Sequence, residues 1–76
     1  MKLPRDVSGA ELAKALGVFG YRVTRQTGSH MRLTTHERGE HHVTISARAE
    51  LHLGTLAAVL GDVAAHFDLS RDEVAG

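Results

Sequence analysis

Residues 21–46 read YRVTRQTGSHMRLTTHERGEHHVTIS, and their alternation decides the fold. Tyr21-Arg22-Val23-Thr24-Arg25-Gln26 alternates in character, Gly28-Ser29 is a tight-turn signal, and His30-Met31-Arg32-Leu33-Thr34 alternates again. Glu37-Arg38-Gly39-Glu40 supplies a second turn before His41-His42-Val43-Thr44-Ile45-Ser46. The spacing predicts a three-stranded antiparallel meander. One face collects Tyr21, Val23, Met31, Leu33, Val43 and Ile45. The other collects Arg22, Thr24, Gln26, His30, Arg32, Thr34, His42, Thr44 and Ser46, and is almost wholly polar. A sheet built this way buries its first face and leaves the second to water or to a polar ligand.

On either side of this segment the period shifts to about 3.6 residues. Ser8-Gly9-Ala10-Glu11 reads as a capping box, with Val7 and Leu12 at the spacing of a hydrophobic staple. Leu12, Ala13, Leu16 and Phe19 then share a stripe, and Gly17 or Gly20 supplies the stop, so a helix is expected over about 9–19. After the sheet, Gly54 or Thr55 is expected to open a second helix whose stripe is Leu56, Val59, Leu60, Val63, Ala64 and Phe67. Ser70-Arg71-Asp72-Glu73 is another capping box, which predicts a short helical tail at about 70–75. The order is α-β-β-β-α. The fold class expected is α+β, a three-stranded antiparallel sheet with two helices on one face.

Seventy-six residues make a single domain, 1–76 with its core over 8–74, near the lower limit for unaided folding. With no cysteine and no tryptophan, the core must come from aliphatic residues and a few rings. A chain this small has no room for a deep, many-handed active site. No apolar run is long enough for a membrane span and the N-terminus lacks a signal-peptide core, so a soluble, cytoplasmic protein is expected. The formal net charge is zero, but it is unevenly spread. Residues 22–48 carry five arginines (22, 25, 32, 38, 48) against Glu37 and Glu40, while 49–76 carry Arg71 against five carboxylates. The centre is cationic, as a phosphate-binding surface requires. The acidic end is read as a solvated helix terminus.

On that face His30 has the side chain best suited to accept or give a proton near neutrality, and Arg22 and Arg32 are suited to hold a phosphate. The amides opening the second helix near Gly54 and Thr55 offer a further anion site. Taken alone, His30 is equally a polar strand residue on a wet face. His36, His41 and His42, with Glu37 or Glu40, have the chemistry of zinc ligands, but their loose spacing favours solvated turn residues. His52 and His66 are expected to face solvent. No metal and no cofactor is expected.

An α-β-β-β-α domain is the plan of double-stranded-RNA-binding modules. Within it, Gly28-Ser29-His30, Val43-Thr44-Ile45, Leu53-Gly54-Thr55-Leu56 and Phe67-x-Leu69-Ser70-Arg71-x-Glu73 together resemble the HicA (YcfA-like) toxin family, over about Ser8 to Val74. Where many members have Pro-x-His after the third strand, this chain has Ser46-Ala47-Arg48, and it is poorer in lysine. The resemblance implies the toxin of a type II toxin–antitoxin system. That toxin is an mRNA interferase, a metal-independent endoribonuclease that blocks translation and is neutralised by a HicB-type antitoxin. It also implies that His30 is the single catalytic residue. Gly28 then shapes the turn, and Ser29 joins Arg22, Arg32 and Thr55 around the RNA phosphates. The expected partners are mRNA and the antitoxin, with the chain a monomer or part of an antitoxin-bound hetero-oligomer. Two rivals stand beside this reading: a non-catalytic RNA-binding module of the same fold, and a protein-interaction domain.

Overall fold

The computed structural model describes residues 7–47, 51–70 and 73–74. Arg48, Glu50, Arg71 and Asp72, which entered the charge reading, lie outside the described residues, and Arg48 is also part of the Ser46-Ala47-Arg48 step.

The first helix, α1, runs Gly9–Ala15 and is built as its cap dictates. The Ser8 hydroxyl accepts from the Glu11 amide at 3.0 Å, and the Glu11 carboxylate accepts from the Ser8 amide at 3.0 Å. Val7 and Leu12, flanking the cap, are both buried. The chain then tightens into a 3₁₀ turn, Leu16–Phe19, and stops at Gly20, whose φ of +82° lies in the left-handed region. The expected 9–19 helix is therefore α-helical only over Gly9–Ala15. Thr35 locks its end to the sheet by donating to the Phe19 carbonyl at 2.9 Å.

Strands β1 (Arg22–Thr27), β2 (His30–Thr35) and β3 (His41–Ser46) form an antiparallel sheet in the order β1-β2-β3. Gly28 and Ser29 alone join β1 to β2, with Thr27 opposite His30 and Gly28 at φ +59°. A positive φ at the first of two loop residues is the hairpin geometry that glycine supplies without strain. Met31, Leu33, Val43 and Ile45 enter the core with Leu12 and Leu16 of the N-terminal helical segment.

Val23 breaks the expected pattern. It is 47% exposed, and every β1 residue is exposed. The register slips between Val23 and Arg25, so that Val23 faces Leu33 while Arg25 faces Arg32. Thr24 is thus the extra residue of a β-bulge. Beyond it the alternation is reversed: Arg25 and Thr27 share the polar face, and Gln26, expected there, pairs with Met31 instead. No glycine or proline marks this bulge in the sequence.

The second helix, α2, runs Leu53–Phe67, starting slightly before the expected Gly54 or Thr55. Val59, Leu60, Val63, Ala64 and Phe67 are buried, and Leu56 packs half-buried beside them. At its far end Asp68 adopts φ +56°, and Arg38 donates to the Phe67 carbonyl at 2.7 Å. One arginine of the basic centre therefore caps a helix rather than facing a ligand. Ser70 and Glu73 exchange reciprocal hydrogen bonds of 3.0 and 3.1 Å, and Val74 beyond them is fully buried.

Candidate functional site

The side chains of His30, Arg32 and Thr34 alternate along β2 on the face away from the helices. Each rise of two residues spans roughly 7 Å, so the three sample a path of about 13 Å. Two depressions lie along it.

The smaller is a recess of about 150 Å³ at the start of β2. Its sheet wall is His30 and Ser46, which pair across β2 and β3; its other wall is Leu51, His52 and Thr55 at the opening of α2. His52 is the N-cap residue of α2 but gives no side-chain capping bond. The first amides of a helix lack intrahelical acceptors and carry the positive end of its dipole, so this wall favours an anion.

The larger depression is an open groove of about 470 Å³ further along the same face. Arg25 and Arg32, opposite one another on β1 and β2, lie at its edge. Like charges directly opposite on neighbouring strands repel, and an anion between them relieves the repulsion. Its floor is a hydrogen-bonded chain: Thr24 Oγ1 to Thr34 Oγ1 at 2.9 Å, Thr34 Oγ1 to His42 Nδ1 at 2.7 Å, and His42 Nε2 to Glu40 Oε2 at 3.1 Å. His36 Nδ1 lies 3.8 Å from the other Glu40 oxygen.

The expected site residues therefore divide. His30 and Thr55 come together in the recess, and Arg32 stands two residues along from His30 in the groove. Ser29 is exposed in the turn, its carbonyl accepting from the Ala47 amide at 2.6 Å, and Gly28 shapes that turn. Arg22 lies opposite Thr34 at the far end of the sheet and lines neither depression. Arg25 and His52 are the residues that sequence reasoning missed. The bulge hid the first, and the second reaches the site only because α2 packs its N-terminus against the end of β3.

His41 and His66 depart from the expectation that they only meet solvent, whereas His36 is exposed as expected. His41 and His42, adjacent on β3, point to opposite faces, so they cannot join His36 in one ligand set. Among the described residues, no group of three or more His, Asp or Glu is placed to hold a metal. His41 Nδ1 lies 2.7 Å from the Tyr21 hydroxyl, and its ring stacks on His66 with centroids 4.4 Å apart. His66 Nε2 in turn donates to the Glu37 carbonyl at 2.9 Å. Burial pushes the Tyr21 hydroxyl up to about 12, with the Asp62 carboxylate adding to the shift.

The same cluster makes the fold sensitive to acid. Burial, then His66 and His42, hold the His41 imidazole below its ordinary 6.5, against an opposing pull from Asp62. The unfolded chain therefore takes up its proton first as pH falls. His41 contributes stability that is complete above about pH 6.5 and is lost as pH falls through the lower folded value. Thermal midpoints measured from about pH 7.5 to about pH 5 should drop for the wild type and drop less for His41→Gln. Equal slopes would remove His41 from this role.

No helix among the described residues is long and apolar enough to cross a membrane. Comparison with curated proteins and with solved structures yields no match. A family model described as HicA toxin of bacterial toxin–antitoxin matches residues 9–64, which takes in α1, the whole sheet, His30, His52, Thr55 and most of α2. The protein belongs to the HicA toxin family of bacterial toxin–antitoxin systems.

Proposed function

We propose that this toxin is an mRNA interferase, acting in the cytoplasm as a single domain and neutralised by a HicB-type antitoxin. The observation that carries the reading is the shared recess of His30, Thr55 and the uncapped start of α2, opening beside the Arg25–Arg32 pair. RNA brings its own nucleophile, the 2′-hydroxyl, so a sparse site suffices. His30 is positioned to take the proton from that hydroxyl as its oxygen attacks phosphorus. The first amides of α2, which lack intrahelical acceptors, and the Thr55 hydroxyl steady the non-bridging oxygens, whose charge grows in the transition state. Arg25 and Arg32 hold the neighbouring phosphates, and Ser29 borders the path of the strand. Arg22 is left outside this arrangement. An antitoxin that covers the polar face would silence cleavage by exclusion alone.

The test is cleavage of a defined RNA by stringently purified protein in excess chelator. Cleavage is expected to persist without divalent metal and to leave 2′,3′-cyclic phosphate and 5′-hydroxyl ends. Binding without cleavage would favour the RNA-binding module, and neither binding nor cleavage would favour the protein-interaction domain.

A further inference from the structure

The recess at His30 contains a second imidazole. We infer that His52 is a second catalytic residue, the general acid that protonates the departing 5′-oxygen while His30 accepts the proton of the 2′-hydroxyl. This inference rests on the RNA-cleaving reading above and departs from the one-histidine centre that family resemblance implies.

The reaction requires two proton transfers. In the in-line step the 2′-oxygen forms a bond to phosphorus as the bond to the 5′-oxygen breaks. The 2′ proton passes to one group, and the 5′-oxygen takes a proton from another. The products are a 2′,3′-cyclic phosphate and a 5′-hydroxyl, with no other reactant consumed. The entering and leaving oxygens lie on opposite sides of phosphorus, so one imidazole cannot serve both in the same step. Imidazole is the side chain whose ordinary pKa lets one copy be neutral and another protonated near pH 7.

Geometry supplies the second copy. His30 stands on the sheet wall of the recess, at the first residue of β2, and His52 on the helix wall, at the N-cap of α2. The recess is only about 150 Å³, so a phosphodiester entering it meets both rings. The helix does not account for a histidine at this position. Ser, Thr, Asp and Asn are the residues that cap well, and His52 gives no capping bond. The imidazole hydrogen bonds among the described residues belong to His41, His42 and His66, which leaves both recess imidazoles uncommitted there. His52 is also exposed, so its replacement does not open the core.

Two substrates separate a proton donor from a mere binding or structural residue. One is RNA; the other is a nucleoside 3′-(4-nitrophenyl phosphate), whose leaving group departs without a proton. His52→Ala and His52→Gln should each slow RNA cleavage by about 10²–10³-fold yet turn over the nitrophenyl ester at close to the wild-type rate. In both variants the fall in rate at high pH, where a general acid has lost its proton, should disappear. His30→Ala should be slow on both substrates. Wild-type cleavage of RNA by the His52 variants would overturn the assignment, as would an equal loss on both substrates. Absence of RNA cleavage by the wild-type protein would instead overturn the RNA-cleaving reading itself, and wild-type cleavage by His30→Ala would remove His30 as the base of the pair.

Discussion

His30→Ala is expected to leave a folded protein that no longer cuts RNA. His30 is exposed on the sheet wall of the recess, and its neighbours in the sheet are held by backbone pairing. Replacing an exposed strand residue of this kind changes stability by no more than about 0.5 kcal/mol, so the thermal midpoint should scarcely move. Activity should respond very differently. Removing a positioned proton acceptor costs about 10²–10⁴-fold, or roughly 3–5 kcal/mol of transition-state stabilisation, and no other imidazole can reach the 2′-hydroxyl from the same wall. RNA binding, which the proposal assigns to Arg25, Arg32 and the start of α2, should survive. The measurements are the cleavage rate, the dissociation constant for the same RNA and the melting curve, all made on one preparation. Cleavage at the wild-type rate would refute the catalytic role. Loss of binding together with cleavage would make His30 a contact residue instead.

The second large effect concerns a residue that touches no substrate. Gly9 is the first residue of α1, and it is buried where the helix meets the end of β3. A Cβ added there would overlap the Ser46 carbonyl oxygen and press on the Ala47 Cα, both of them backbone. Flexible side chains can step aside, but backbone must be moved, so either α1 lifts or β3 bends. Alanine is ordinarily favoured over glycine in a helix by about 1 kcal/mol, and here the clash reverses that sign. Overpacking of this kind costs about 3 kcal/mol or more. That is a large share of the roughly 4–11 kcal/mol available to a domain of this size. The melting temperature of Gly9→Ala should fall by roughly 12 °C or more. Gly17→Ala, where a Cβ meets nothing, is the matched control and should melt near the wild type. Because Ser46 also lines the recess, any surviving Gly9→Ala protein should cleave RNA more slowly. A Gly9→Ala protein as stable as the control would show that this helix–strand contact tolerates the extra atom.

Both effects meet at the end of β3, where the packing of α1, the register of β2 and the opening of α2 converge. A small toxin of this design has little stability to spare. A mutation that loosens the α1–β3 contact should therefore weaken the site without touching His30.

What the sequence by itself determined was everything governed by neighbours a few residues apart. Ser8 and Glu11, and again Ser70 and Glu73, announce their caps because each hydrogen bond closes within three residues. Gly28 and Gly39 announce the turns because a positive φ suits glycine, and the stripe of α2 follows from a 3.6-residue period that any core-facing helix must keep. The family resemblance drew on the same order of segments. Tertiary structure alone decided the rest. The bulge at Thr24 arises from how β1 meets β2, and it moved Arg25 onto the polar face and Gln26 off it. The Tyr21–His41–His66 cluster joins the residue before β1, the start of β3 and the last turn of α2, twenty or more residues apart in sequence, so no local pattern reveals it. His52 lies far from His30 in the chain and becomes its neighbour only when α2 docks. Local chemistry chose the elements; the packing of their ends against one another made the site.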